Sequence, residues 1–204
     1  LGTQSSTFST DVPVAAGENY FYTCYATNSV GASWAVPALP YGAQRIRYVD
    51  AGASGGNTGY SWTDAFTTLQ AALDDCLGSK TNLVCVKGGT YGLSGALALN
   101  ASHVTLRGGY QGAGAPGAFD ATQWPTVVTN LGNVTRLLTV GAVSDGRIEG
   151  LTLTGGNSGG NGGAIAIDGA SGITLAGCIL RGNRAAGNGG AVYANNVSGL
   201  AVES

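Results

Sequence analysis

Hydrophobic and polar positions alternate in short bursts along much of this chain, and the bursts recur. Residues 150–154 read GLTLT, 172–176 GITLA and 199–203 GLAVE, while GGAIAID at 162–168 is answered by GGAVYAN at 189–195. Successive copies begin 172 − 150 = 22 and 199 − 172 = 27 residues apart. A loose period in the twenties, made of short strands and Gly/Asn turns, predicts an all-β solenoid in which each coil covers the apolar side of the last. Two-residue alternation puts Leu151, Leu153, Ile173, Leu175, Leu200 and Val202 on one face, with Thr152, Thr154, Thr174 and Glu203 on the other. Stacked copies then place Leu151, Ile173 and Leu200 in one interior column, and Ile165 and Val192 in a second. A parallel sheet coiled this way has one dry and one wet face, so its strands alternate.

Upstream, the pattern changes character. ENYFYTCYATNSVGASWA at 18–35 alternates aromatics, turns at Asn-Ser-Val-Gly and alternates again, which predicts a β-hairpin. RIRYVD at 45–50 reads as a strand and GASGGNTG at 52–59 as a loop. SWTDAFTTLQAALDDC predicts the one helix, over 63–77: Thr63 caps it, Asp64 lies in its first turn, and Phe66, Leu69, Leu73 and Cys76 form an apolar stripe. Coil strands follow in LVCVKGGTY (83–91), ALAL (96–99), VTLRGGY (104–110), TVVT (126–129) and VTRLLTV (134–140). Between them, 111–125 is an excursion carrying Phe119 and Trp124, expected to fold against the outside of the rod.

GGAI at 162–165, GGAV at 189–192 and LRGN at 180–183 resemble the GGAI and FxxN repeats of chlamydial polymorphic outer-membrane proteins, with Leu180 where that family has Phe. More broadly, residues 45–204 are similar to secreted right-handed parallel β-helices of the pectate-lyase-like superfamily. The opening YVD…GGNTGYSWTDAF…LQAAL followed by VCVKGGTY looks like the start of many of them. That resemblance implies that the helix lies over the first coil as an N-terminal cap, where an end coil otherwise exposes its apolar interior and unpaired strand groups. Residues 1–44 look like part of a fibronectin type III-like module, on the strength of Tyr20, Tyr22, Tyr25, Ala26, Asn28 and Gly31. Such a module needs about seven strands, so this is a partial one. At the other end GLAVES stops within a coil; either the chain continues or something else covers that end.

Charged residues are only 10% of the 204, with a net charge of −2, against about 25% in ordinary soluble proteins. The surface is therefore Ser, Thr, Asn and Gly, which suits an extracellular or cell-surface location. No basic patch favours nucleic acid, and no apolar run is long enough to span a membrane. Cys24, Cys76, Cys85 and Cys178 allow three pairings. Cys76 and Cys85 could pair; equally, all four could be buried apolar side chains. With no CxxC and His103 as the only histidine, a zinc site is not expected.

Catalysis on polysaccharides needs clustered carboxylates. After the helix the chain offers Asp120, Asp145, Glu149, Asp168 and Glu203, none grouped by spacing. Asp74 and Asp75 are neighbours on a helix and point apart, as solvated cap residues would. Gly112, Gly114 and Gly117 match GxGxxG, but Pro116 and the polar run after it argue for a loop over a dinucleotide site. GGNGG at 159–163 resembles half a calcium-binding repeat with Ala164 in place of Asp. Thr152, Thr154 and Thr174 offer only a short threonine ladder. Asn157, Asn161, Asn183 and Asn188 sit beside Gly in turns needing φ > 0, and asparagines of successive coils can stack with shared amide hydrogen bonds. Asn100, Asn133 and Asn196 fit the N-glycosylation pattern at a chance frequency. No catalytic, cofactor or metal residue is assigned.

The reading is a non-catalytic surface or extracellular structural or adhesive segment. Its partners would be a continuing chain, a second copy end to end in a filament, or a surface or carbohydrate ligand. The alternative is a polysaccharide-active lyase or glycosidase with its site outside these residues.

Overall fold

The computed structural model describes residues 25–28, 31–34, 44–132 and 136–204. The predicted hairpin is present, Tyr25–Asn28 pairing antiparallel with Gly31–Trp34. Of the residues behind the fibronectin-like resemblance, Tyr25, Ala26, Asn28 and Gly31 are in this hairpin, while Tyr20 and Tyr22, like Cys24, lie outside the described residues.

From Arg45 onward the described chain builds three main sheets, all of parallel pairs, and visits them in rotation, with a small fourth pairing Asn157–Ser158 with Arg184–Ala185. The first holds Arg45–Val49, Asn82–Lys87, Val104–Tyr110, Arg147–Glu149, Thr174–Ala176 and Ala201–Glu203, in that spatial order. The second holds Gly89–Leu93, Thr126–Asn130, Leu151–Thr154 and Ile179–Arg181. The third holds Leu97–Leu99, Leu138–Val140, Ile165–Asp168 and Val192–Asn195. Each strand pairs with its counterpart one circuit later, the arrangement of a parallel β-helix.

The register fixes the true period. Arg147 pairs with Thr174 and Thr174 with Ala201, 27 residues each time. Leu106, Ile148, Leu175 and Val202 therefore stack in one inward column. Tyr91, Val128, Leu153 and Leu180 form a second, and Leu97, Leu138, Ile165 and Val192 a third. The Ile165–Val192 column is as the alternation predicts; the Leu151–Ile173–Leu200 column is not. Leu151 opens the second sheet opposite Thr126, whereas Gly146 stands one circuit before Ile173. A Cβ on Gly146 would come within 3.0 Å of the Ile173 Cδ1. GLTLT and GITLA resemble each other in letters but lie on different sides of the coil, because only Gly150 separates the first sheet from the second. For the same reason Thr152, opposite Ile179, belongs to a different sheet from Thr174, and no threonine ladder forms.

The GGA motifs have a steric reason. Gly162 and Gly189 both sit at φ +70, a left-handed conformation that costs glycine little. At the next residue, a Cβ on Gly163 would lie 2.0 Å from the Gly190 carbonyl oxygen, so the coils pass too closely for any side chain. Asn161, Asn183 and Asn188 sit, as expected, beside glycines at positive φ, namely Gly162, Gly182 and Gly189. Asn161 and Asn183 bond main chain of the neighbouring coil. Asn161 Oδ1 accepts from the Asn188 amide at 2.8 Å, Asn183 Oδ1 from Gly156 at 2.8 Å, and Asn183 Nδ2 donates to the Leu153 carbonyl at 2.9 Å.

The helix is shorter than the stripe suggested, Leu69–Asp74, and its cap is Thr68, whose hydroxyl accepts from the Ala71 amide at 3.4 Å. Thr63 precedes it in a loop, and Phe66 is already bridged to Val49. Asp64 serves that loop, accepting from the Gly56 amide at 2.7 Å and the Ser61 hydroxyl at 3.0 Å. Leu69, Ala72 and Leu73 are buried in the interior. Asp75 is no solvated residue, since it receives Arg45 and Arg47 from the first strand, Arg45 Nη2 at 3.0 Å.

Cys76 and Cys85 do not pair; both are free thiols, as is Cys178. On Asn82–Lys87, Val84 and Val86 face the interior with Cys76, while Leu83 and Cys85 face out into a second cluster with Tyr48, Ala65 and Tyr110. The sheet itself lies between the two sulfurs. Burial pushes the Cys76 thiol up to about 11 and the Cys85 thiol up to about 12, so neither is a thiolate at neutral pH. With Ellman's reagent at pH 8, both should stay unmodified in the folded protein and react only in urea. Fast labelling of either, or a Cys76–Cys85 peptide in a non-reducing digest, would contradict this arrangement.

The column also sets a stability scale. Ile148 is fully buried with neighbours on both sides, whereas Val202 is 76% exposed. Urea melts should show Ile148→Ala costing about 2–5 kcal/mol and Val202→Ala within about 0.5 kcal/mol.

Candidate functional site

The outward face of the first sheet carries the densest polar chemistry among the described residues. Because outward positions recur every second residue, Arg107 and Glu149 are in register neighbours, as are Glu149, Ala176 and Glu203. The two glutamates are thus two strand spacings apart, roughly 9.6 Å along the sheet. Arg107 Nε donates to Glu149 Oε2 at 2.6 Å, Arg147 Nη2 reaches Glu149 Oε1 at 3.3 Å, and Arg147 Nη1 reaches over Ala176 to Glu203 Oε2 at 3.0 Å.

The excursion frames this row, and as expected it folds back on the rod. Phe119 bridges antiparallel to Tyr110, their rings 5.5 Å apart, and the Arg107 guanidinium lies 4.7 Å from the Phe119 centroid. Trp62 continues the aromatic row on the far side of Tyr110, at 5.8 Å, and its indole N–H donates to the Pro116 carbonyl at 3.0 Å. Gly112, Gly114 and Gly117 all take positive φ in the turns that bring Phe119 back, and no helix follows them. Between Phe119 and the charged row lies a groove of about 260 Å³, lined also by Gly108, Gly150, Gly177 and Ala121.

The remaining sequence candidates are dispersed. Asp120 accepts from the Thr122 and Gln123 amides, which hold its carboxyl below the usual range. Asp145 sits at a coil corner 3.2 Å from His103 Nδ1. Asp168 accepts from Asn195 Nδ2 at 2.8 Å, its partner in register. A larger hollow of about 380 Å³ lies by Thr67, Thr68, Thr90 and Ser94. There the Gln70 amide is spent on Asp74 and on both main-chain groups of Ala98. No group of three or more metal-ligating side chains occurs among the described residues.

Burial alone would raise the Glu149 carboxyl, but the bonds from Arg147 and Arg107 outweigh it and hold the group below its ordinary value of 4.5. A general acid needs the opposite shift. The face as built stores charge in neutral pairs; it does not poise a proton.

No protein-family model matches the chain. No curated protein matches it either. Among solved structures, the chain is similar to a pectin methylesterase mutant crystallised in complex with a hexasaccharide. The TM-score is 0.49 and the identity 14%, over 76% of this chain and 48% of that one. The chain therefore spans about half the length of that protein.

Because Glu149 is more acidic when folded, its contribution is full above the unfolded value and is lost as pH falls through the folded one. Glu149→Gln should cost about 1–2 kcal/mol at pH 7. The gap to the natural chain should narrow steadily as pH falls below 4.5 in paired urea titrations, and a gap that does not change with pH would refute the assignment.

Proposed function

We propose that this chain is a non-catalytic segment of an extracellular or cell-surface protein, structural or adhesive in role. In this reading the coils wind right-handed, the helix Leu69–Asp74 covers the N-terminal end of the stack, and the outer sheet faces are the working surface. The observation that carries it is the Arg107–Glu149–Arg147–Glu203 chain. It spends the carboxylates of the richest outer face on ion pairs and holds Glu149 ionised. The low charge content supports the location, since Ser, Thr, Asn and Gly supply the surface polarity.

The second reading is a polysaccharide-active β-helix enzyme whose reacting groups lie outside residues 1–204. The groove beside Phe119 favours it, as a feature that extended saccharide could follow. Incubating the full-length protein that carries this chain with pectin and with neutral polysaccharides, then assaying reducing ends and unsaturated products, separates the two. The first reading expects none of these; turnover by the full-length protein would end it.

Head-to-tail association between copies is a variant of the first reading. Light scattering should then show mass growing with concentration. A monomer throughout would remove the variant and leave the scaffold reading standing.

A further inference from the structure

We propose that the groove between Phe119 and the Arg147–Glu149 pair binds a neutral sugar ring. The inference rests on the non-catalytic reading above, in that the sugar is held and not converted.

The groove has a bare floor and two unlike walls. Its floor includes Gly108, Gly150 and Gly177, of which Gly150 and Gly177 occupy the same corner one circuit apart. Gly108 has no alternative residue: a Cβ there would lie 2.6 Å from Leu151 and 2.7 Å from the Gly150 carbonyl. Between the two walls the lining is therefore low, glycine main chain with only the small side chains of Ala121, Ala176 and Ser204, over which a flat ring can settle closely.

One wall is Phe119, which is 49% exposed although its ring lies against Tyr110 and the Arg107 guanidinium, the latter bonded to Glu149 on the facing wall. An aromatic ring fixed by two contacts loses little freedom on binding, and its face is complementary to the C–H groups of a pyranose. The opposite wall is Arg147 with Glu149 and Glu203. Each carboxylate has about four acceptor sites and a guanidinium five N–H groups, so these ion pairs leave both donors and acceptors open toward the groove. A hydroxyl both donates and accepts, and adjacent hydroxyls can bond to such a pair at once.

Charge decides the class of sugar. Arg107 and Arg147 against Glu149 and Glu203 sum to zero, and the cations already have carboxylate partners. A uronate would have to displace one of them, whereas a neutral hexose would not. At about 260 Å³ the groove is smaller than the ~300–1,000 Å³ of drug-sized sites, so it takes one ring, or two of a longer chain, with an affinity on the order of 1 mM.

The test is saturation-transfer NMR on the whole chain with cellotetraose, mannotetraose, galactotetraose and, as the anionic probe, trigalacturonate. At least one neutral tetrasaccharide should bind, with little dependence on salt. Phe119→Ala should weaken it about tenfold, while Phe119→Tyr should retain it, at matched melting temperatures. Should Phe119→Ala fail to fold, Glu203→Gln serves: it removes an acceptor and half-frees Arg147, so neutral binding should fall severalfold and trigalacturonate binding rise. Absence of neutral binding overturns the site, as do affinities unmoved by both variants or a salt-sensitive preference for trigalacturonate in the natural chain. If the sugar is bound but chemically altered, the non-catalytic reading falls with it. If nothing is bound and nothing altered, only the site falls.

Discussion

The structure depends on in-register stacking of apolar side chains from one circuit of chain to the next. Leu106, Ile148 and Leu175 are each at most 1% exposed, although no strand among the described residues exceeds seven residues. Strands that short have no independent stability. They persist because parallel pairing sets identical side positions one strand spacing apart, and burial of each aliphatic group then shields the one beneath. The main-chain bonds between circuits have the same origin: register fixed by the interior keeps every strand opposite its counterpart. Without a circuit stacked beyond it the protection falls off, and Val202 is 76% exposed where Leu175, one circuit in, is 1% exposed.

Sequence reading recovered the architecture from alternation and glycine spacing, and it placed Ile165 over Val192. It misplaced Leu151 because letter similarity was weighted over chain geometry. A single-glycine corner puts GLTLT one sheet further round than GITLA, which a strict count of 27 from Gly172 back to Asp145 would have exposed. That same slip concealed Glu149 and Glu203 as partners on one face, since 203 − 149 = 54 is twice the period. The helix start was misread because Thr63 and Thr68 are both acceptable caps, and only the Val49–Phe66 bridge decides between them. Between the two alternatives left open for Cys76 and Cys85 the buried, unpaired one holds; nine residues of sequence separation could not decide it, because they say nothing about which side of a sheet each one faces.

Phe119 illustrates a different limit. As a lone aromatic in a polar, glycine-rich run it carries no periodic signal. It becomes part of a site only because the chain doubles back to bridge Tyr110, under which Arg107 already points outward. Likewise, the arginines look like isolated charges in a weakly charged sequence. The sheet gathers them, and their pairing with glutamates then determines which ligands the face can accept.

The circuit that contains the excursion is longer than its successors: Thr105 to Arg147 is 42 residues, against 27 from Arg147 to Thr174. The surplus of 15 equals the length of 111–125, and the strands on either side keep their pairing as though those residues were absent. A coil of this kind can therefore lengthen at a corner without disturbing its neighbours. Such corners offer places where new loops can be grafted, so that the exterior can be remodelled piece by piece while the winding beneath is inherited unchanged.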